Sequence, residues 1–460
     1  MTTSLGKKWA GNSGANIIGG LSTALLSFVL PAILARWMTK MEFSLWSLAF
    51  QVVAYVSVFG YGLNSAVAKY VSEKPDDASV AKILKASLKI LSLSNALGLL
   101  FLVAVVWASH YIFSEIPAEM LGDFRVAVFA LGIAALFQNF GLIPIGYFTG
   151  RYRNIDFVLP QLFGRAVILA TVFLSLFAGA RLVSLSLAYC FSSAVPIYLL
   201  WRKMQDVHIA QGSLLGLSQC SSEVRLLNSY CAGLLVWSMS MLLVNAVDTI
   251  LVGYVNVQEV GAYSVALTYV TILGGIINAL ISPIVPIASS LYADPQQRDR
   301  LPKLLHKISF INTLAMNALL LLTVIFGKFA LTLWVGAPYA EATYPYLVVL
   351  TAANCIRYLG MPYSTMLMGT ALHRVTFLSA ILEGLGNLLF SLWFSSLFGV
   401  IGVAYGTLAG ALLGLLSHFL INFRKTDALT PHWLQAMTRS YMLPILMCAP
   451  IYVLIYVAIQ

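Results

Sequence analysis

Four charged residues interrupt long apolar stretches of this chain: Arg165, Asp248, Arg357 and Glu383. A charge at the centre of a membrane-spanning helix costs about 2.5–3.5 kcal/mol on insertion scales, so each needs a partner, a wet cavity or a function. Arginine offers planar, multidentate donors suited to phosphate or carboxylate. A carboxylate in the same surroundings can take up a proton or a cation. Structural roles compete with these. Arg165 or Arg357 can pair permanently with Glu383, and Asp248, close to a span end, can make a structural hydrogen bond at little cost. Neutral polar residues in the same stretches, Gln138, Asn139, Asn245, Asn278 and Asn354, either line a cavity or bond helix to helix. His418 reads as a packed or interfacial histidine.

The elements that must position these residues follow from composition. The chain has 460 residues, 60% hydrophobic and only 10% charged, where a soluble domain carries roughly 25% charged residues. A mean hydropathy of +0.87 excludes a soluble globular protein and a disordered chain. Thirteen stretches reach the ~20 residues that span a bilayer as a helix. They lie near 13–35, 44–69, 88–113, 124–149, 156–179, 182–202, 228–254, 260–288, 308–334, 343–370, 375–397, 399–423 and 440–459. The alternating pattern of a membrane barrel is absent. The fold class is therefore all-α and polytopic. Lys7 and Lys8 precede the first span, but the apolar run lacks an A-x-A cleavage site and is expected to stay in the mature chain. Five scattered cysteines with no C-x-x-C suggest neither a disulfide framework nor a metal site, and no cofactor is expected.

The net charge of +10 has a topological explanation. With a cytoplasmic N-terminus, 20 of the 27 Lys and Arg residues face the cytoplasm and five (Arg36, Lys40, Arg125, Arg181, Lys328) face outward, as the positive-inside rule predicts. No nucleic-acid partner is needed. The two basic residues left over are Arg165 and Arg357. Trp37, Trp46, Trp107, Tyr254 and Trp334, near span ends, read as interfacial anchors.

The chain also repeats. A shift of 217–218 residues sets Glu42 on Glu259, Lys85 on Lys303, Lys89 on Lys307 and Pro144 on Pro362. It also sets Arg165 on Glu383 and Asn139 on Arg357. Spans 1–6 and 7–12 thus read as two copies of a six-helix unit. Six is even, so the copies run parallel, a class in which the substrate site lies between the halves. The expected organisation is an N-terminal bundle (1–202), a cytoplasmic linker (203–227), a C-terminal bundle (228–423), and a loop with an extra, thirteenth helix (424–460).

Three stretches carry a family resemblance: FGYGLNSAVAKYVSE (59–73), VDTILVGYVNVQEVGAYSVAL (247–267) and GNLLFSLWFSSLFGVIGVAYGT (386–407). Gly60 and Gly62 permit a bend or close helix approach, and Asn64 can satisfy a freed backbone group. Gly399 and Gly402 make a tight helix start. Over residues 10–423 the chain resembles the multidrug/oligosaccharidyl-lipid/polysaccharide exporter superfamily, and within it most closely the polysaccharide-repeat-unit flippases of bacterial O-antigen and capsule pathways. The resemblance implies two parallel six-helix bundles in a V-shaped, alternating-access transporter of the bacterial inner membrane, not an enzyme. The implied cargo is an undecaprenyl-diphosphate-linked oligosaccharide, with polysaccharide polymerase machinery as a partner. Arg357, Arg165, Asn139 and Asn64 are the substrate-binding candidates. Glu383 and Asp248 are the ion-coupling candidates, for a proton or sodium. Rivals are a multidrug antiporter, whose cationic drugs suit an acidic pocket, and the peptidoglycan lipid-precursor flippase, which typically has fourteen spans. A membrane-embedded polymerase or ligase needs a long external loop, and the longest here are about ten residues.

Overall fold

A computed structural model describes residues 2–74, 76–204, 221–245, 247–370 and 372–448. The first half runs α1 (Thr2–Trp37), α2 (Lys40–Val56), α3 (Leu63–Glu73), α4 (Asp77–Ile112), α5 (Ala118–Phe140), α6 (Leu142–Gly150), α7 (Ile155–Phe177) and α8 (Leu182–Lys203). The second half repeats this order. It opens with α9 (Ser221–Asn245) and α10 (Val247–Val255), then α11 (Val260–Ile281), α12 (Ile284–Ala293), α13 (Arg300–Val335), α14 (Ala337–Leu359), α15 (Met361–Gly369), α16 (Phe377–Phe398) and α17 (Val400–Ser417). A short α18 (Trp433–Met437) follows. The duplication is visible in the lengths: α4 and α13 have 36 residues each, α5 and α14 have 23, and α6 and α15 have nine.

Local chemistry sets the breaks. Thr39 and Glu42 form a capping box at the start of α2, the threonine hydroxyl accepting from the Glu42 amide at 3.2 Å. Arg181 adds an ion pair to the same glutamate at 3.5 Å. Asp76 caps α4, accepting from the Ser79 amide at 2.7 Å, and bonding from Ser79 holds its carboxyl below the usual range. The second expected span is broken: a 3₁₀ turn over Ser57–Gly60 leads to Tyr61 and Gly62, both at φ +61°. Gly62 takes that left-handed conformation freely, whereas Tyr61 holds it at a cost.

Ten helical stretches among the described residues are long and apolar enough to cross a membrane, so the chain is a multi-pass membrane protein. Three of the thirteen expected spans are not among them. The stretch at 343–370 forms α14 and α15, and the tyrosines, Asn354 and Arg357 of α14 lower its hydropathy. The stretch at 228–254 is helical over Ser221–Asn245 and Val247–Val255, on either side of residue 246, which lies outside the described residues. Most of the stretch at 440–459 lies outside the described residues, as do 205–220 of the expected linker. Two expected interfacial anchors are packed instead: Trp46 lies against Phe50 and Tyr189, and Trp334 is buried.

The chain divides into two compact units, Met1–Leu242 and Leu243–Gln460. In the first, α3, α4 and α6 share a core (Leu63, Val67, Leu84, Leu91, Ile143) that Leu227 and Cys231 of α9 complete. In the second, Leu301, Leu305, Tyr363, Met366 and Phe423 close a core that includes Tyr441.

One packing device decides the geometry of the second unit. Gly402, Gly406, Gly410 and Gly414 recur every fourth residue on α17, and they face Phe394, Ser391, Asn387 and Glu383 of α16, which are spaced by three or four. Without Cβ atoms the two backbones approach closely, as small-xxx-small stripes allow in membranes. A Cβ at Gly410 would lie 2.8 Å from the Asn387 amide nitrogen. Gly410→Val should therefore lower thermal stability in detergent, by about 1–3 kcal/mol for overpacking of this kind. Gly275→Val, where a Cβ meets nothing within 4 Å, should leave the melting temperature unchanged.

Candidate functional site

The glycine stripe brings the polar face of α16 onto α17 and α10. There Asp248, in the first turn of α10, is 1% exposed. Its carboxylate accepts from Asn387 Nδ2 at 3.0 Å, from the Thr407 hydroxyl at 2.7 Å and from the Tyr263 hydroxyl at 3.4 Å. Ser391 extends the network, donating to Asn387 Oδ1 at 3.0 Å and to the Val403 carbonyl at 3.1 Å. The Thr407 hydroxyl also reaches that carbonyl, at 3.1 Å. Every partner of Asp248 is neutral, and among the described residues no Lys, Arg or His stands within ion-pair distance of it. A buried carboxylate without a counter-charge is costly. The site also gathers oxygens from a carboxylate, an amide, two hydroxyls and a carbonyl, the hard donors that a proton or an alkali cation requires.

Arg357 lies on the adjacent α14. Its Nε donates to Glu383 Oε1 in an ion pair, and Nη1 donates to Asn354 Oδ1 at 2.8 Å. Nη2 is buried and has no hydrogen-bond partner. A cavity of about 90 Å³ lies between the two constellations, lined by Asp248, Thr407, Thr271, Asn354, Arg357 and Tyr358 among others, with room for roughly three waters. Arg357 lines this space and keeps one guanidinium nitrogen without an acceptor, a donor that an anionic or hydroxylated ligand can satisfy.

The first unit holds an equivalent arrangement with different chemistry. A cavity of about 380 Å³ is lined by Gln138, Asn139, Gln161, Arg165 and Tyr189 together with apolar residues. Arg165 Nη1 donates to the Gly19 carbonyl at 2.9 Å and to the Ser22 hydroxyl. No carboxylate among the described residues pairs with it. Asn139 is held by Asn95, donating to its Oδ1 at 3.0 Å, while Asn95 donates to the Leu136 carbonyl at 3.0 Å.

The structure thus brings Asp248, Arg357 and Glu383 together in one unit, and Asn139 with Arg165 in the other. Asn64, half-buried in the first turn of α3, does not line the cavity of Asn139 and Arg165. Asp248 was expected beside a wet boundary but is enclosed. His418 is packed, its ring against Tyr363 and its Nδ1 bonded to Asn422 at 2.9 Å. The Asn245 side chain falls outside the described residues. The partners of Asp248 all fall in the stretches that carry the family resemblance, Tyr263 in 247–267 and Asn387 and Thr407 in 386–407, but the sequence does not show that they meet at Asp248. Their signal was the i,i+4 pairs Asn387/Ser391 and Val403/Thr407, which put two polar groups on one face of each helix.

Residues 10–292 match the sequence model of the family described as polysaccharide biosynthesis protein. Comparison with curated proteins returns no match. The chain is similar in structure to the lipid II flippase MurJ in an inward closed conformation, at TM-score 0.69 and 15% identity over 96% of this chain and 98% of that one. It is similar to a multidrug resistance MATE family transporter of the MOP superfamily in an inward-facing conformation, at TM-score 0.71 and 15% identity over 89% and 96%. A MOP superfamily transporter from Pyrococcus furiosus aligns at TM-score 0.57 and 17% identity over 92% and 96%. At these identities the likeness is one of fold.

Proposed function

Because the chain belongs to the polysaccharide biosynthesis protein family, we propose that it is a flippase for an undecaprenyl-diphosphate-linked oligosaccharide repeat unit. It moves this cargo by alternating access from the cytoplasmic to the outer leaflet of a bacterial inner membrane, supplying O-antigen, capsule or exopolysaccharide assembly. The observation that carries this reading is the buried, unpartnered Nη2 of Arg357 at a cavity wall. A diphosphate offers the oxygens that nitrogen lacks, and Arg165 supplies a second cationic wall beside Asn139. A multidrug antiporter shares the fold, but a cationic drug would meet two arginines.

Asp248 is the ion-coupling residue. Glu383 already pairs with Arg357, whereas Asp248 hydrogen-bonds to neutral donors only and meets the Arg357 charge across the small cavity that both line, so uptake of a proton or sodium there removes a buried charge that has no ion-pair partner. The test is a strain lacking the gene. One undecaprenyl-diphosphate oligosaccharide should accumulate in its lipid extract by mass spectrometry. An unaltered lipid pool with drug hypersensitivity would refute the proposal in favour of an antiporter.

A further inference from the structure

A second cavity in the Leu243–Gln460 unit, separate from the Asp248 and Arg357 space, has a volume of about 370 Å³. Its wall carries Lys303, His306, His432 and Arg439, and no Asp or Glu lines it. Its floor is apolar: Leu305, Phe423, Leu429 and Tyr441 are each 3% exposed or less. The cavity lies beside the ends of two helices long and apolar enough to cross a membrane. Lys303 and His306 sit in the first two turns of the span Arg300–Val335, and Phe423 lies in the last turn of the span Val400–Lys425.

The wall is built rather than frayed. The loop after α17 is tied by Tyr363, whose hydroxyl meets Thr426 Oγ1 at 2.9 Å, and by Thr430, which donates to the Phe423 carbonyl at 2.7 Å. His306 Nδ1 bonds the Ser440 hydroxyl at 2.8 Å. Arg439 and Ser440 belong to a π-helical turn, Thr438–Met442, a distortion frequent at functional sites.

We propose that this pocket binds the phosphate headgroup of an anionic phospholipid, with the glycerol end of its acyl chains on the apolar floor. Basic pockets between helices at a membrane face hold such headgroups, and each cationic side chain contributes to the affinity. Unopposed positive charge selects an anion, and the apolar floor at a bilayer boundary selects a lipid over a free ion.

The experiment uses the full chain in detergent, with phosphatidylglycerol, phosphatidylcholine or inorganic phosphate added and the melting temperature followed. Phosphatidylglycerol should raise it, whereas phosphatidylcholine and phosphate should not. Lys303→Gln with Arg439→Gln should weaken the apparent affinity for phosphatidylglycerol about tenfold or more. Lys307→Gln, which removes a neighbouring charge outside the cavity, should leave it unchanged. Equal stabilisation by phosphatidylcholine, stabilisation by phosphate alone, or an undiminished response in the double variant would each overturn the proposal.

Discussion

Arg357→Ala should abolish surface polysaccharide, and adding Glu383→Ala should hold the protein at its normal membrane level without restoring activity. The side chain has two functions in one place: it neutralises Glu383, and it lines the 90 Å³ cavity with one guanidinium nitrogen unpaired. Removing one member of a buried ion pair alone can cost about 3–5 kcal/mol, so loss of activity by Arg357→Ala could follow from instability. The double variant Arg357→Ala with Glu383→Ala separates the two effects. It removes both charges together, so it should recover stability and membrane level yet remain inactive. Arg357→Lys keeps the charge that pairs with Glu383 but lacks the planar fork, and it should retain no more than about a tenth of the activity, a loss of one bidentate contact. Surface polysaccharide by gel and protein by immunoblot report the two quantities. Full activity in either the double variant or the lysine variant would leave Arg357 a purely structural residue.

Asp248→Asn should uncouple transport from its ion gradient. The substitution keeps the shape and an oxygen for Thr407, so the network around Asn387 and Tyr263 loses little packing. It removes the single charge that would attract a proton or sodium. In vesicles containing the purified protein, the wild type should respond to an imposed proton or sodium gradient by at least about tenfold, the equivalent of 1.4 kcal/mol. The asparagine variant should respond to neither. An unchanged gradient response in that variant would assign the coupling elsewhere.

Much of this was legible in the chain because membranes make rules strict. Ten of the thirteen expected spans and the repeat follow from apolar length and from rare residues recurring at a fixed offset, and Asn139 and Arg357 lie on the corresponding helices α5 and α14, Arg165 and Glu383 on α7 and α16. The pairing of Arg357 with Glu383 was one of the readings left open, because sequence gives depth along a helix and not its rotation about its axis. Asp248 shows the opposite failure. Its sequence neighbours suggest a wet helix end, yet the next helix, through Tyr263, and two helices distant in sequence, through Asn387 and Thr407, enclose it. The stripe Gly402–Gly414 that makes this enclosure possible was in plain view, but only its first member was read as meaningful. A stripe of small residues shows close packing without showing against what.

The leaflet occupied by the stalled intermediate is the most direct measurement. In a strain lacking the gene, the lipid-linked oligosaccharide should be inaccessible to a membrane-impermeant lectin or oxidant in spheroplasts and accessible in inside-out vesicles. The wild-type gene should restore export, whereas the gene carrying Arg357→Ala should not. An intermediate already exposed on the outer leaflet of the deletion strain would contradict a flippase, since the translocation step would then be complete without this protein.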